Sequence, residues 1–177
     1  PSYSVFAEEE NQAKETQTNE TNKTQADETT ANDTLSLAAE TAVLIDAASG
    51  EILYDKDADK KMYPASITKL MTILLALENG KLTDEITFSH DAVYNIEPGS
   101  AHIAILEGET LTLEQVLRAI ILRSANEASN GVAEYVDGSV EAFAKHMTER
   151  AKELGCTNTN FVNANGLFDE NHYTTAH

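Results

Sequence analysis

Positive charge is scarce in this chain. Lysine and arginine number 12 against 30 aspartates and glutamates, a formal net charge of -18 over 177 residues. Such an excess repels nucleic acid and anionic membrane surfaces, so neither is expected as a partner. No run approaches the roughly 18 consecutive apolar residues of a membrane span, and no membrane anchor is expected within this chain. Cysteine occurs once, as Cys156, which rules out an intrachain disulfide and neither supports nor excludes export. It follows Leu154-Gly155 at a predicted helix end, where a small buried thiol is expected rather than a reactive one. The histidines His90, His102, His146, His172 and His177 lack the H-E-x-x-H or any comparable ligand spacing. Neither a metal nor another cofactor is therefore expected, and His172 reads as structural.

Aromatic and large aliphatic residues are missing from residues 8–34, a stretch built almost entirely of Glu, Thr, Asn, Gln, Asp, Ala and Lys. It cannot bury enough apolar surface to offset the entropy of ordering, which predicts a disordered spacer. Ahead of it, Ser4-Val5-Phe6-Ala7 has the small-residue end of a secretory signal cut after Ala7, pointing to an exported protein. The domain plan is thus a signal remnant and acidic spacer over 1–36, then one folded body over 37–177.

In that body, Thr41 to Asp46 and Glu51 to Tyr54 are strand-like runs joined by Ala47-Ala48-Ser49-Gly50, a predicted hairpin. Ile86-Thr87-Phe88 and Ile103-Ala104-Ile105-Leu106 are further strand candidates, with a turn at Pro98-Gly99-Ser100. Between the hairpin and these candidates runs Pro64-Ala65-Ser66-Ile67-Thr68-Lys69 and an apolar stretch to Leu77. This predicts a helix opening at or beside Ser66 and closing at Asn79-Gly80. Apolar residues fall on nearly every face after Lys69, so the helix is expected to be central and buried.

Ser66 and Lys69 stand three residues apart, on one helical face and within reach of each other. A serine hydroxyl is a weak nucleophile until a neighbour takes its proton, and a lysine does so only when neutral. Desolvation at a buried site favours that neutral form, and N–H groups at the helix start stabilise developing negative charge. S-x-x-K alone also occurs by chance in a chain of this length; its place at the head of a buried helix is what singles it out.

Thr112-Leu113-Glu114-Gln115 fits a capping box, and Leu113, Val116, Leu117, Ile120 and Ile121 repeat at helical spacing to Leu122. The pattern breaks at Arg123-Ser124-Ala125-Asn126, resumes to about Val136, and stops at Asp137-Gly138. Ser139 caps a last helix whose apolar stripe is Val140, Phe143, Ala144, Met147, Ala151 and Leu154. A plain turn would also use Ser124 and Asn126. Beside Ser66 and Lys69 they gain a second use, since a second hydroxyl can relay a proton and an asparagine amide can hold substrate and lysine together.

From Ala42 to His177 the sequence resembles the penicillin-binding D-alanyl-D-alanine carboxypeptidases of low molecular mass. The resemblance rests on Pro64 to Leu70, on Ser124-Ala125-Asn126, and on Gly138-Ser139-Val140-Glu141-Ala142-Phe143. It continues through Leu154 to Phe161, Asn165-Gly166-Leu167 and Asn171 to His177. S-x-x-K, S-x-N and K-T-G are the elements of this enzyme class. The resemblance implies an α/β (α+β) fold of the β-lactamase/transpeptidase type, an antiparallel sheet with a helical subdomain. It implies Ser66 as nucleophile, Lys69 as base, Ser124 as proton relay and Asn126 as substrate-positioning group. The substrate would be a peptidoglycan stem peptide ending in D-Ala-D-Ala, with β-lactam antibiotics as covalent inhibitors.

The third element, Lys-Thr-Gly, occurs nowhere in the 177 residues; Lys23-Thr24 is followed by Gln25. The expectation is of the N-terminal part of a catalytic domain, weakly active or inactive alone, with apolar surface and a strand edge left open. Two alternatives share the pattern. One is a β-lactamase-type hydrolase; the other is a non-catalytic wall-associated module.

Overall fold

The structure, a computed structural model, describes residues 36–177. The expected signal remnant at Ser4 to Ala7 and the spacer over 8–34 lie outside the described residues. Strand β1 (Ala42–Ile45) pairs antiparallel with β2 (Ile52–Lys56), the register shifting between Leu44 and Ile45. Asp46 shapes the predicted turn, its Oδ1 accepting from the backbone N–H groups of Ala48 and Ser49 and from the Ser49 hydroxyl. An Asx turn of this kind lets a side chain replace a ladder partner.

A 3-10 turn over Ala65–Thr68 leads into helix α1 (Lys69–Asn79). Its expected closure at Gly80 is found, for a different reason. Gly80 is extended, not left-handed. It is required because a Cβ there would lie 2.7 Å from the Tyr135 hydroxyl and 2.9 Å from Leu113 Cδ2. The expectation that α1 is buried all round needs correcting. Lys69, Thr72, Leu75 and Ala76 form its covered face, while Ile67, Leu70 and Leu77 are exposed together with Leu44, Ile45, Ile52 and Leu53 of the hairpin.

The helix at the centre is α4 (Asn126–Asp137), in which every residue from Asn126 to Ala133 is buried. It packs against α1, α2 (His90–Tyr94), α3 (Leu113–Arg123) and α5 (Val140–Glu153). Small residues make that possible: Ala125, Ala128 and Ala133 are buried, and a Cβ on Gly131 would overlap the ring of Phe88. The core is closed by Leu75, Phe88, Leu113, Val116, Ile120, Val132, Phe143 and Met147. Burying each large side chain stabilises the body by about 1.5–3 kcal/mol.

Helix α3 starts as expected, with Thr112 and Gln115 completing a reciprocal capping box. Ser139 caps α5 by accepting from the Ala142 N–H, and left-handed Gly138 ends α4. Along the predicted α5 stripe, Phe143, Ala144, Met147 and Ala151 are buried, whereas Leu154, past the helix end, is exposed. Cys156 is exposed too, correcting the buried thiol. The chain turns outward after Glu153, so both residues miss the face that α5 presents to α4.

The strand expected at Ile103 to Leu106 is irregular. Its N–H groups are taken by side chains, Ile103 by Glu127, Ala104 by His102 and Leu106 by Glu109, and Ala104 has φ +61. The partner of β3 (Glu85–Thr87) is instead β4 (Thr110–Thr112). After α5 the chain returns beside the 3-10 turn through antiparallel bridges of Asn160 to Tyr173 and Met62 to Thr174.

Candidate active site

Three segments meet at Ser66. The 3-10 turn presents its hydroxyl, the α3–α4 junction brings Ser124 and Asn126, and the 163–167 loop closes the side opposite. Ala65 is held at φ +47, a left-handed conformation that only some residues adopt without cost. Ser124 is also left-handed, at φ 54, and caps α3 by donating its N–H to the Ile120 carbonyl. A helix broken at this point aims the Ser124 hydroxyl at Ser66, with Oγ to Oγ at 3.0 Å. Ser66 itself is exposed.

Lys69 is 4% exposed, and its Nζ faces three oxygens. It lies 3.2 Å from Ser66 Oγ, 2.8 Å from Asn126 Oδ1 and 2.5 Å from the Asn165 carbonyl. Desolvation lowers its pKa to about 8, opposed by the negative charge of Glu127. A neutral amine has two N–H groups and one lone pair. Two donations to Asn126 and Asn165 leave the lone pair for the Ser66 proton. The geometry therefore places the Ser66 hydroxyl, the Lys69 amine and the Ser124 hydroxyl in hydrogen-bond contact, an arrangement suited to proton transfer from one hydroxyl to the amine. The Ile67 N–H at the turn is already bonded to the Pro64 carbonyl.

All four residues singled out in the sequence converge here. Others were not foreseen. Asn165 contributes its backbone oxygen, which no side-chain pattern reveals. Its side chain is clamped, accepting from the Leu167 N–H and donating to Asn130 Oδ1 at 3.1 Å. Asn130 stands one turn after Asn126 and ties the loop to α2 by donating to the Ala92 and Asn95 carbonyls. Thr72 donates to the Ala164 carbonyl at 2.6 Å. Thr68 meets His172 Nε2 at 2.7 Å, and His172 Nδ1 accepts from the Val162 N–H. An accepting Nδ1 places the ring proton on Nε2, so neutral His172 donates to Thr68. The sequence signal for these was available: Thr68 and Thr72 share the Lys69 face of an otherwise apolar helix.

Among the described residues, no group of three or more His, Cys, Asp or Glu side chains is placed to hold a metal ion, and no helix is long and apolar enough to cross a membrane.

Residues 23–177 match the family model described as D-alanyl-D-alanine carboxypeptidase. Among curated proteins, D-alanyl-D-alanine carboxypeptidase DacF of Bacillus subtilis is 40% identical over 148 residues, 81% of this chain and 37% of the relative. DacC of Escherichia coli is 36% identical over 149 residues, again 37% of its length. Among solved structures, DacD from Francisella tularensis superposes with a TM-score of 0.74 at 31% identity, covering 80% of this chain and 35% of that one. Penicillin binding protein 5 from Haemophilus influenzae gives the same TM-score and identity, covering 80% and 43%. The chain thus spans less than two fifths of the length of these curated relatives.

Proposed function

The chain belongs to the D-alanyl-D-alanine carboxypeptidase family, and from that premise we propose that it carries the nucleophilic half of a serine-type D-Ala-D-Ala carboxypeptidase. The substrate is a peptidoglycan stem peptide, met on the outer side of the bacterial cytoplasmic membrane after export. The supporting observation is the buried amine of Lys69 between Ser66 Oγ and two carbonyl acceptors.

Lys69, neutral, takes the Ser66 proton as Oγ attacks the carbonyl carbon of the penultimate D-alanine. The new ester bond forms as the peptide C–N bond breaks. Ser124, in contact with Ser66 Oγ, passes a proton to the departing amine of D-alanine. Water then attacks the ester, the acid product leaves, and Ser66 recovers its proton. Asn126 holds Lys69 through Oδ1, and its amide N–H groups orient the substrate amide. The strained amide of a β-lactam enters by the same attack and stays as a covalent adduct. No Lys-Thr-Gly sequence occurs in these 177 residues.

The test is covalent labelling of the full protein with a fluorescent penicillin, followed by peptide mapping. The label is expected on Ser66, lost in Ser66→Ala, and slowed at least about 100-fold in Lys69→Ala. An adduct on Ser124 overturns the assignment. Release of D-alanine from a D-Ala-D-Ala peptide, faster than turnover of penicillin, separates a carboxypeptidase from a β-lactamase. Neither labelling nor release would leave the non-catalytic module.

A further inference from the structure

One buried ionisable group has no part in that chemistry. Glu127 follows Asn126 in the first turn of α4 and is 1% exposed. Its Oε1 accepts the Ile103 N–H at 2.7 Å, while Oε2 is buried with no hydrogen-bond partner among the described residues. Burying a carboxylate with one oxygen unpaired is costly, so the position needs a reason.

Two observations supply it. The 98–106 loop has no ladder of its own and is pinned to the start of α4 by two bonds. These are Asn126 N–H to the Ala101 carbonyl at 2.9 Å and Ile103 N–H to Glu127 Oε1. The pinned turn is the one whose Asn126 Oδ1 holds Lys69 Nζ. The second observation is charge. The direct neighbours of Nζ, namely Ser66, Asn126 and Asn165, are neutral, and Glu127 is the charged group that acts on the lysine, favouring its ammonium form. Glu97 and His102 line the same cavity, of about 360 Å³, as Glu127.

We propose that Glu127 is a positioning residue of the catalytic site, which pins the 101–103 loop and so fixes Asn126, the acceptor of the Lys69 amine. Its charge, in turn, opposes loss of the Lys69 proton. Glu127 touches neither substrate nor nucleophile. The proposal rests on Lys69 being the base. Removing the charge while keeping the acceptor separates its two roles. In Glu127→Gln the amide oxygen still receives the Ile103 N–H, Glu97 and His102 stay in place, and the counter-charge is gone.

Acylation of the full protein by a fluorescent penicillin is followed by stopped flow from about pH 6 to 10, spanning the range of a perturbed lysine. The acid limb of the rate in Glu127→Gln is expected to move down by roughly half a pH unit, making acylation at pH 7 about threefold faster. In Glu127→Leu the rate is expected to fall at least about tenfold at every pH, because the loop bond is lost. A Gln variant with the wild-type midpoint overturns the counter-charge role. A folded Leu variant that acylates at the wild-type rate overturns the loop role. Normal acylation by Lys69→Ala, measured alongside, would mark failure of the underlying mechanism instead.

Discussion

Gly166 packs against Ala65 so tightly that a Cβ on residue 166 would overlap the Ala65 carbonyl oxygen. Gly166 also has φ +84, where any L side chain is strained. The contact locks the loop bearing the Asn165 carbonyl to the turn bearing Ser66. The neighbour on the other side is backbone, which cannot rotate away.

Gly166→Ala is therefore expected to destabilise the body by about 3 kcal/mol or more. Penicillin labelling should slow as well, because Lys69 loses a fixed acceptor when the loop is pushed back. Thermal unfolding and labelling rates measured together check this. A variant that melts and labels like the wild type would show that the loop is not locked in this way.

The lowered pKa of Lys69 gives a signed prediction for both rate and stability. With Lys69 as the proposed base, which accepts a proton only when neutral, acylation should rise with pH through about 8 and level off above it. In the unfolded chain the amine binds its proton up to the ordinary value of 10.5. Between these two values the unfolded state holds more protons than the folded one, and stability rises with pH. Relative to Lys69→Met, the wild type should gain stability as pH goes from about 8 to 10.5 and be flat on either side. Urea unfolding of both proteins across that range reads the difference. A difference that is constant in pH would mean an ordinary, hydrated lysine.

His172 has the same sign at lower pH. Burial lowers its pKa below 6.5, against the weaker pull of Asp169. Protonation would also put a hydrogen on Nδ1, facing the Val162 N–H that it now accepts. As pH falls below 6.5 the unfolded chain takes up a proton that the folded one refuses, and stability is lost until the lowered folded value is passed. In His172→Gln, where one amide end can serve both Thr68 and Val162, that part of the acid slope should vanish. Melting temperatures of the two proteins from neutral to acid pH make the comparison, and parallel slopes would refute it.

The parts of this fold that could be read from sequence are those set by local chemistry. The Thr112–Gln115 capping box, the Ser139 cap and the Gly138 stop each act within one helical turn, and the structure has all three. Ser66, Lys69, Ser124 and Asn126 were legible because each is a side chain of unusual chemistry on an apolar background. Ile103 to Leu106 looks like a strand by composition, but its N–H groups find partners in Glu127, His102 and Glu109 before any ladder can form. Helix α2, a single short turn capped by Ser89, has too few residues to show a period. The all-round apolar pattern of α1 spoke for burial, yet among the described residues Leu70 stays 69% exposed. Helix α4 escaped notice as the centre because its small residues carry little hydrophobic signal, though they are what lets neighbours approach.

The acceptors that surround Lys69 come from distant parts of the chain. Asn126 lies 57 residues beyond it and Asn165 lies 96, while the brace between Thr68 and His172 spans 104. Each of these loops must close before its contact repays the entropy of closing it. Until then Lys69 is hydrated and protonated, and Ser66 has no more reactivity than any other serine. The contact of the Ser66 hydroxyl with a desolvated amine is thus a late product of folding. A chain still emerging from a ribosome, with residues 163–167 not yet docked, would lack the Asn165 acceptor, so the surroundings of the Lys69 amine are completed only when that distant loop has packed.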